Sequence, residues 1–167
     1  PSRPDRRPLQ SSGAQDHAAL LRAARELTRA CALLAFCVLA DSAAEHYRGA
    51  FHNKAMYTPL ISAALTFAGS LHGAGDHRHP RHRGRDAVYL SAAAAGLAGT
   101  GFHLYNVLKR PGRFSWENLF YCAPLGAPGA LLLSGLLGLY SERLREADAE
   151  HSRVLGLPAA RGLAGLT

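Results

Sequence analysis

Residues 39–59 bring many titratable and polar side chains together between two apolar segments of the chain. Asp41, Glu45 and His46 come at the end of the first of these segments. Asp41 and Glu45 are four residues apart, which on a helix places both carboxylates on one face. An ordinary turn between helices does not need so many ionisable groups. These residues are therefore the first candidates for a functional site.

Two residues far along the chain could join the same site. His103 lies near the end of the third apolar segment, and Glu117 comes just before the fourth. Imidazole with carboxylate suits zinc, iron, copper or manganese, so the candidate metal ligands are Asp41, Glu45, His46, His103 and Glu117. His46 and His103 could instead be axial ligands of one b-type haem. A third interpretation is that these groups only satisfy one another and interfacial water.

The hydrophobic residues are strongly segregated along the chain, although their total of 48% among 167 residues is ordinary. They fall in four blocks at about residues 30–46, 56–72, 87–108 and 119–140, and the charge lies between the blocks or in the tails. At about 1.5 Å per residue, such blocks can cross a hydrocarbon core of roughly 30 Å. The sequence therefore predicts an all-α integral membrane protein, a four-helix up-down-up-down bundle over residues 14–146.

The composition of the blocks favours a membrane bundle over a soluble four-helix protein. Soluble helices would show polar stripes at a period of 3.6 residues, but the fourth block has none between Ala123 and Leu139 apart from Ser134. The third block contains glycines that would let membrane helices approach closely, namely Gly96, Gly99 and Gly101.

The prolines and the tails complete the predicted architecture. Pro59 falls in the first turn of the second helix, where a missing N–H costs nothing, whereas Pro124 and Pro128 predict a kink in the fourth. Residues 1–13 are predicted to be a disordered basic tail, residues 14–29 an amphipathic lead-in helix, and residues 147–167 a C-terminal tail.

The distribution of basic residues predicts the orientation. Fourteen Lys and Arg lie in the N-terminal region, the 73–86 loop and the C-terminal tail, and five lie in the other two connections. The positive-inside rule then places both termini in the cytoplasm and the 39–59 stretch on the outer side. In a bacterial cell this is a multi-pass protein of the inner membrane. The His- and Arg-rich loop at 76–86 is a topology determinant, or alternatively a metal-binding or anionic-lipid patch.

The first apolar block has one competing interpretation, which is a signal peptide cleaved after the small residues Ser42, Ala43 and Ala44. A very long and itself helical region before the block argues against it. The three cysteines, Cys31, Cys37 and Cys122, form no zinc-binding spacing and are expected to be small packing residues.

No motif for nucleotide, nucleic-acid or nucleophilic chemistry is present in the sequence. The leading expectation is a non-catalytic accessory or anchor subunit with a polar outward-facing pocket, which contacts the bilayer and a protein partner but no nucleic acid. The alternative is a redox membrane protein that binds a transition metal or b-type haem through His46 and His103.

Overall fold

A computed structural model describes residues 7–76, 82–122 and 125–154 of the chain. This described part is helical and contains no strand, which confirms the all-α class. The long helices are α1 (Arg7–Arg48), α2 (Tyr57–Gly75), α3 (Arg83–Lys109) and α4 (Gly126–Val154), with a 3₁₀ turn at Lys54–Met56 and a π-helical turn at Asn118–Cys122.

Helix α1 is a single helix of 42 residues that takes in both the lead-in helix and the first apolar block. It begins at Arg7, within the stretch 1–13 for which a disordered tail is predicted, and residues 1–6 lie outside the described part. A proline near this start is compatible with helix, because Pro8 lies in the first turn, where no N–H is needed.

Prolines set the starts of two other helices. Pro59 is the third residue of α2, as predicted. The kink predicted in the fourth apolar block is a break instead, because α4 begins only at Gly126 and Pro128 falls in its first turn. Proline is accepted there because the first N–H groups of a helix have no partner within the helix. Pro124 lies outside the described residues.

Helix α1 packs against α2 and α4, and α3 packs against the same two helices. Helices α1 and α4 run antiparallel over most of their length, since His17 contacts Ser152 while Thr28 contacts Arg145. Their paired ends therefore extend together, with residues 17–29 of α1 lying beside residues 141–154 of α4.

The interior is built from small and polar residues. The buried apolar cluster contains Val38, Ala63, Ala92 and Leu131. Around it the fully buried positions include several hydroxyl side chains, namely Thr66, Ser70, Ser134 and Ser141. Large apolar side chains point outward instead, among them Leu33, Phe36, Ile61, Leu65, Leu90, Leu97 and Leu133.

Close approach of α3 to α4 depends on three glycines. A Cβ at Gly96 would lie 2.7 Å from Leu132 Cα and 2.8 Å from the Pro128 carbonyl oxygen. Gly135 and Gly138 lie equally close to the backbone of Ala93 and the ring of Tyr89. Gly101, by contrast, has open space around it. The close helix contact predicted from the glycines of the third block therefore holds at Gly96 but not at Gly101.

Two of the described helices are long and apolar enough to cross a membrane, α1 from Gln15 to Arg48 and α3 from Arg83 to Lys109. Helix α2 has 19 residues, with polar Ser, Thr and His side chains among them. Helix α4 begins at Gly126 and carries the buried charged residue Glu142 near its middle.

Candidate functional site

The predicted site residues on α1 lie on its last turns, at one end of the helix assembly. Asp41 and Glu45 are exposed, and Glu45 pairs with Arg48 at 2.9 Å on the same helix. His46 is half-buried, and its ring centroid lies 6.2 Å from that of Phe51, which stacks on Tyr57 at 4.7 Å. The turn after α1 thus folds an aromatic side chain back beside His46.

His46 on α1 and His103 on α3 each lie within the last two turns of their helix, toward the same end of the helix assembly. The His46 ring interacts electrostatically with His103, and also with Asp41, Glu45 and His52. His103 Nδ1 is buried and has no hydrogen-bond partner in the described part of the chain. A pair of imidazoles with nearby carboxylates is therefore present at this end of the protein.

Glu117 does not join this group by any described contact. It is exposed in the connection between α3 and the π-helical turn, and it forms no ion pair or hydrogen bond with the residues that the structure describes. Among residues 7–76, 82–122 and 125–154, no three His, Cys, Asp or Glu side chains are arranged to hold a metal ion. The metal and haem interpretations remain predictions that rest on His46 and His103.

A second polar cluster, at the opposite end of the helices, is much more deeply buried. Arg85, which is 3% exposed, donates from Nε to Glu142 Oε1 at 2.9 Å and from Nη2 to Oε2 at 3.0 Å. It also donates from Nη1 to Asp76 Oδ2 at 2.8 Å, and the His72 ring lies 3.3 Å from the same nitrogen. We call Arg85, Glu142, Asp76 and Arg145 the inner ion cluster.

Arg145 connects the inner ion cluster to α1. Its guanidinium donates to the Asp76 carbonyl oxygen at 3.3 Å and to Thr28 Oγ1 at 3.4 Å, while its Nε is buried without a partner in the described residues. Burial lowers the pKa of this guanidinium, and the Glu142 charge acts in the opposite direction. Two arginines and two carboxylates leave the cluster formally neutral.

A chain of hydroxyl and thiol groups continues from the cluster toward the middle of the helices. Ser70 Oγ lies 3.4 Å from the Tyr89 hydroxyl and 3.1 Å from Cys31 Sγ, and it donates to the Thr66 carbonyl oxygen at 2.8 Å. Tyr89, Ser70 and Cys31 are each fully buried. Three helices are thereby joined by polar contacts that an apolar interior would lack.

A small polar group connects the start of α1 to the end of α4, and it consists of His17, Asp148 and Ser152. His17 Nδ1 lies 2.6 Å from Asp148 Oδ1 and 3.2 Å from Ser152 Oγ. These are the residue types of a hydrolytic triad, but both oxygens contact the same ring nitrogen. A proton relay needs the serine and the aspartate on opposite nitrogens. The arrangement therefore fastens two helix ends and lacks the geometry of a relay.

The chemistry open to the inner ion cluster is limited by its own pairing. Both of its carboxylates are occupied by guanidinium donors, Glu142 through two hydrogen bonds and Asp76 through one. Breaking such a pair leaves an uncompensated buried charge, which is strongly destabilising. The geometry is that of a structural ion-pair network that holds α2, α3 and α4 together.

Sequence reasoning missed this cluster because its members lie beside the apolar blocks, where charge is usually solvated. Arg85 and Asp76 belong to the His- and Arg-rich loop, which is predicted to be a topology determinant, and Glu142 to the charged end of α4. Asp76 and Arg85 are instead engaged in the interior, whereas residues 77–81 of the loop lie outside the described part. The sequence feature that could have indicated this cluster is the presence of opposite charges next to three consecutive apolar blocks.

Comparison with known proteins gives no family, relative or fold neighbour for this chain: no family model, no curated protein and no solved structure matches it.

Proposed function

We propose that this chain is a multi-pass protein of the bacterial inner membrane that acts as a non-catalytic accessory or anchor subunit. The observation that carries the proposal is the reversed distribution of side chains, with small and hydroxyl residues inside and large apolar residues outside. Water would penalise this arrangement, because each exposed leucine or phenylalanine keeps apolar surface hydrated. Lipid tails remove that penalty, and helices then associate through small residues and polar contacts.

The burial of the most apolar helices supports the membrane location. Only 28% of the apolar window of α1 and 22% of that of α3 is buried within the protein. The core helix of a soluble protein would be mostly buried. Exposed aliphatic side chains also occur on α2 and α4, at Ile61, Leu65 and Leu133, so the apolar surface continues around the assembly.

The accessory role is supported by how the ionisable groups are used. The inner ion cluster fastens helices to one another, with its carboxylates held by arginines. The outward end carries the exposed aromatic rings of Tyr47 and Tyr57 in the 39–59 stretch, and aromatic rings suit contact with a protein partner. The distribution of Lys and Arg along the sequence supports a cytoplasmic location for both termini, under the positive-inside rule.

Membrane extraction and topology mapping test this proposal. We expect the protein to stay in the membrane pellet after alkaline carbonate extraction. Reporter fusions after residues 50 and 112 should report the outer side, and fusions after residues 80 and 150 the cytoplasm. Release of the protein by carbonate, or any other fusion pattern, would reject the proposed location or orientation.

The second candidate function is redox chemistry at a metal or b-type haem, which the presence of His46 and His103 at the same end of the helices favours. Imidazole nitrogens of these two residues would bind the group, and its redox chemistry would come from the iron or other metal. Purified protein with a Soret band, or with stoichiometric metal, would support this candidate. The His46→Ala and His103→Ala variants should each lose that signal, and His52→Ala serves as the control.

A further inference from the structure

The connection between α3 and α4 presents a patch of exposed aromatic rings. We call residues 110–121 the aromatic loop. Its exposed side chains are Phe114 at 60%, Trp116 at 72%, Phe120 at 54% and Tyr121 at 78% exposure. The rings of Trp116 and Phe120 lie against one another, with centroids 4.2 Å apart, yet both remain open to the surroundings. Four large aromatic side chains in so short a segment need a partner.

The aromatic loop is held in shape by its own hydrogen bonds. Asn118, which is 7% exposed, donates from Nδ2 to the Pro111 carbonyl oxygen at 2.9 Å and to the Arg113 carbonyl oxygen at 3.0 Å. Ser115 N donates to the Gly112 carbonyl oxygen at 2.8 Å. Gly112 and Arg113 both have positive φ, at 78° and 40°, so the chain turns sharply there. The rings are therefore displayed by a fixed turn.

Basic residues surround the exposed rings. Residues 109–117 carry Lys109, Arg110 and Arg113 against Glu117, which leaves a net charge of +2. Arg110 and Arg113 are exposed and form no ion pair within the part of the chain that the structure describes. Basic residues are depleted on the outer side of membrane proteins. Three of them in one outward connection suggest a specific anionic partner.

A shallow apolar groove leads along α3 to this basic end. It is lined by Ala98, Gly101, Phe102 and Tyr105, which lie on one face of the helix. Lys109 continues the same face, with Nζ 5.0 Å from the centroid of the Tyr105 ring. From Ala98 to Lys109 the helix rises roughly 16 Å, which is about half of a bilayer core and so the depth of one leaflet.

We propose that the groove and the aromatic loop together bind one anionic phospholipid of the outer leaflet. The acyl chain lies along Ala98, Gly101 and Phe102, and the phosphate is bound by Arg110 and Arg113, whose guanidinium groups suit phosphate. Trp116 and Phe120 lie at the head-group level, where aromatic rings are favoured. This inference rests on the proposed membrane location. The occupant is a lipid because the apolar groove continues into Lys109 on the same helix face, and the exposed Arg110 and Arg113 follow directly in the chain.

The single tryptophan of the chain allows a direct test. The full-length protein is reconstituted in vesicles that contain equal fractions of either brominated phosphatidylglycerol or brominated phosphatidylcholine, and Trp116 fluorescence is measured. We expect the anionic bromolipid to quench Trp116 at least about twofold more strongly than the zwitterionic one, because basic residues near the surface enrich anionic lipid. Arg110→Gln with Arg113→Gln should abolish this preference.

A second variant tests the groove separately from the charge. Gly101→Leu places a side chain in the groove, and its Cβ position is open, since nothing lies within 4 Å of it. It should reduce quenching by anionic bromolipid, whereas Arg153→Gln at the other end should leave quenching unchanged. Equal quenching by both lipids, or quenching by aqueous iodide alone, would overturn the inference and assign the aromatic loop to a protein partner. Because carbonate extraction is read out independently, the membrane proposal would stand in that case.

Discussion

Arg85 and Glu142 face each other through two parallel contacts between α3 and α4, Nε to Oε1 at 2.9 Å and Nη2 to Oε2 at 3.0 Å. Their side chains are 3% and 1% exposed. A bidentate guanidinium–carboxylate pair fixes both the distance and the relative orientation of the two helices. It therefore sets how the start of α3 meets the middle of α4.

Removing one partner of this pair should be much worse than removing both. Glu142→Ala leaves Arg85 buried with only Asp76 as its counter-charge, and we expect a loss of about 3–5 kcal/mol in unfolding free energy. Arg85→Met with Glu142→Met should recover most of that loss. Denaturation in detergent micelles measures the unfolding free energy of both variants.

The matched control is Arg143→Ala in the exposed Arg143–Glu146 pair, where a loss of about 0–1 kcal/mol is expected. Equal costs for Glu142→Ala and Arg143→Ala would contradict the structural role of the inner ion cluster.

The glycines of α3 give a matched pair of substitutions. Gly96→Ala places a methyl group against the Leu132 backbone, which cannot move aside, so the α3–α4 contact must widen. We expect a cost of roughly 1–3 kcal/mol from this overpacking. Gly101→Ala meets open space and should be neutral or slightly stabilising, because alanine favours helix. Thermal unfolding of the two purified variants measures this difference in stability. A Gly96→Ala variant as stable as Gly101→Ala would refute the close approach of α3 to α4.

Asp148 should make stability depend on pH in the acid range. Burial raises the pKa of this carboxyl above its ordinary value, with His17 and then His151 acting in the opposite direction. The folded protein then holds the proton more tightly than the unfolded chain. The resulting stability is present at low pH and is lost as the pH rises from the unfolded pKa, about 4, through the raised folded value.

The Asp148→Asn variant tests this linkage, because asparagine keeps an acceptor for His17 without a titrating charge. Its stability relative to the wild type should increase as the pH rises from about 4 to 7. Unfolding midpoints across that range measure the difference, and Glu150→Gln, at an exposed position, should show no such trend. A wild type that gains stability over Asp148→Asn with rising pH would mean that pairing with His17 outweighs burial.

Two cysteines on α1 report whether its exposed face contacts lipid or water. Cys37 is exposed near the middle of the apolar stretch, whereas Cys31 is buried beside Ser70. In a Cys122→Ser background, we expect Cys37 to react with an apolar maleimide but not with a charged one, because a charged reagent does not enter hydrocarbon. Cys31 should react with neither reagent in the folded protein. Labelling of Cys37 by the charged reagent in intact membranes would place this face in water.

The convergence of Asp41, Glu45, His46, His103 and Glu117 in one pocket stays a prediction, but the first three lie on the last turns of α1, and His103 lies on the last two turns of α3. This much was accessible from the sequence because consecutive antiparallel helices must return to the same level. The placement of Glu117 could not be predicted from the sequence, because Glu117 lies in a connection whose path depends on the turn fixed by Asn118. Side-chain direction in a connection is not given by helical periodicity.

The sequence by itself determined the helical class and the approximate positions of the long helices, because apolar block length and proline position act locally along the chain. It also indicated that Gly96 would allow close packing. Only the tertiary structure decided that Arg85 and Glu142 are buried together, because 57 residues separate them and the sequence pattern of each is that of a solvated charge. A charge is stable in the interior only when its partner arrives from another helix, and that meeting depends on how α3 and α4 are packed.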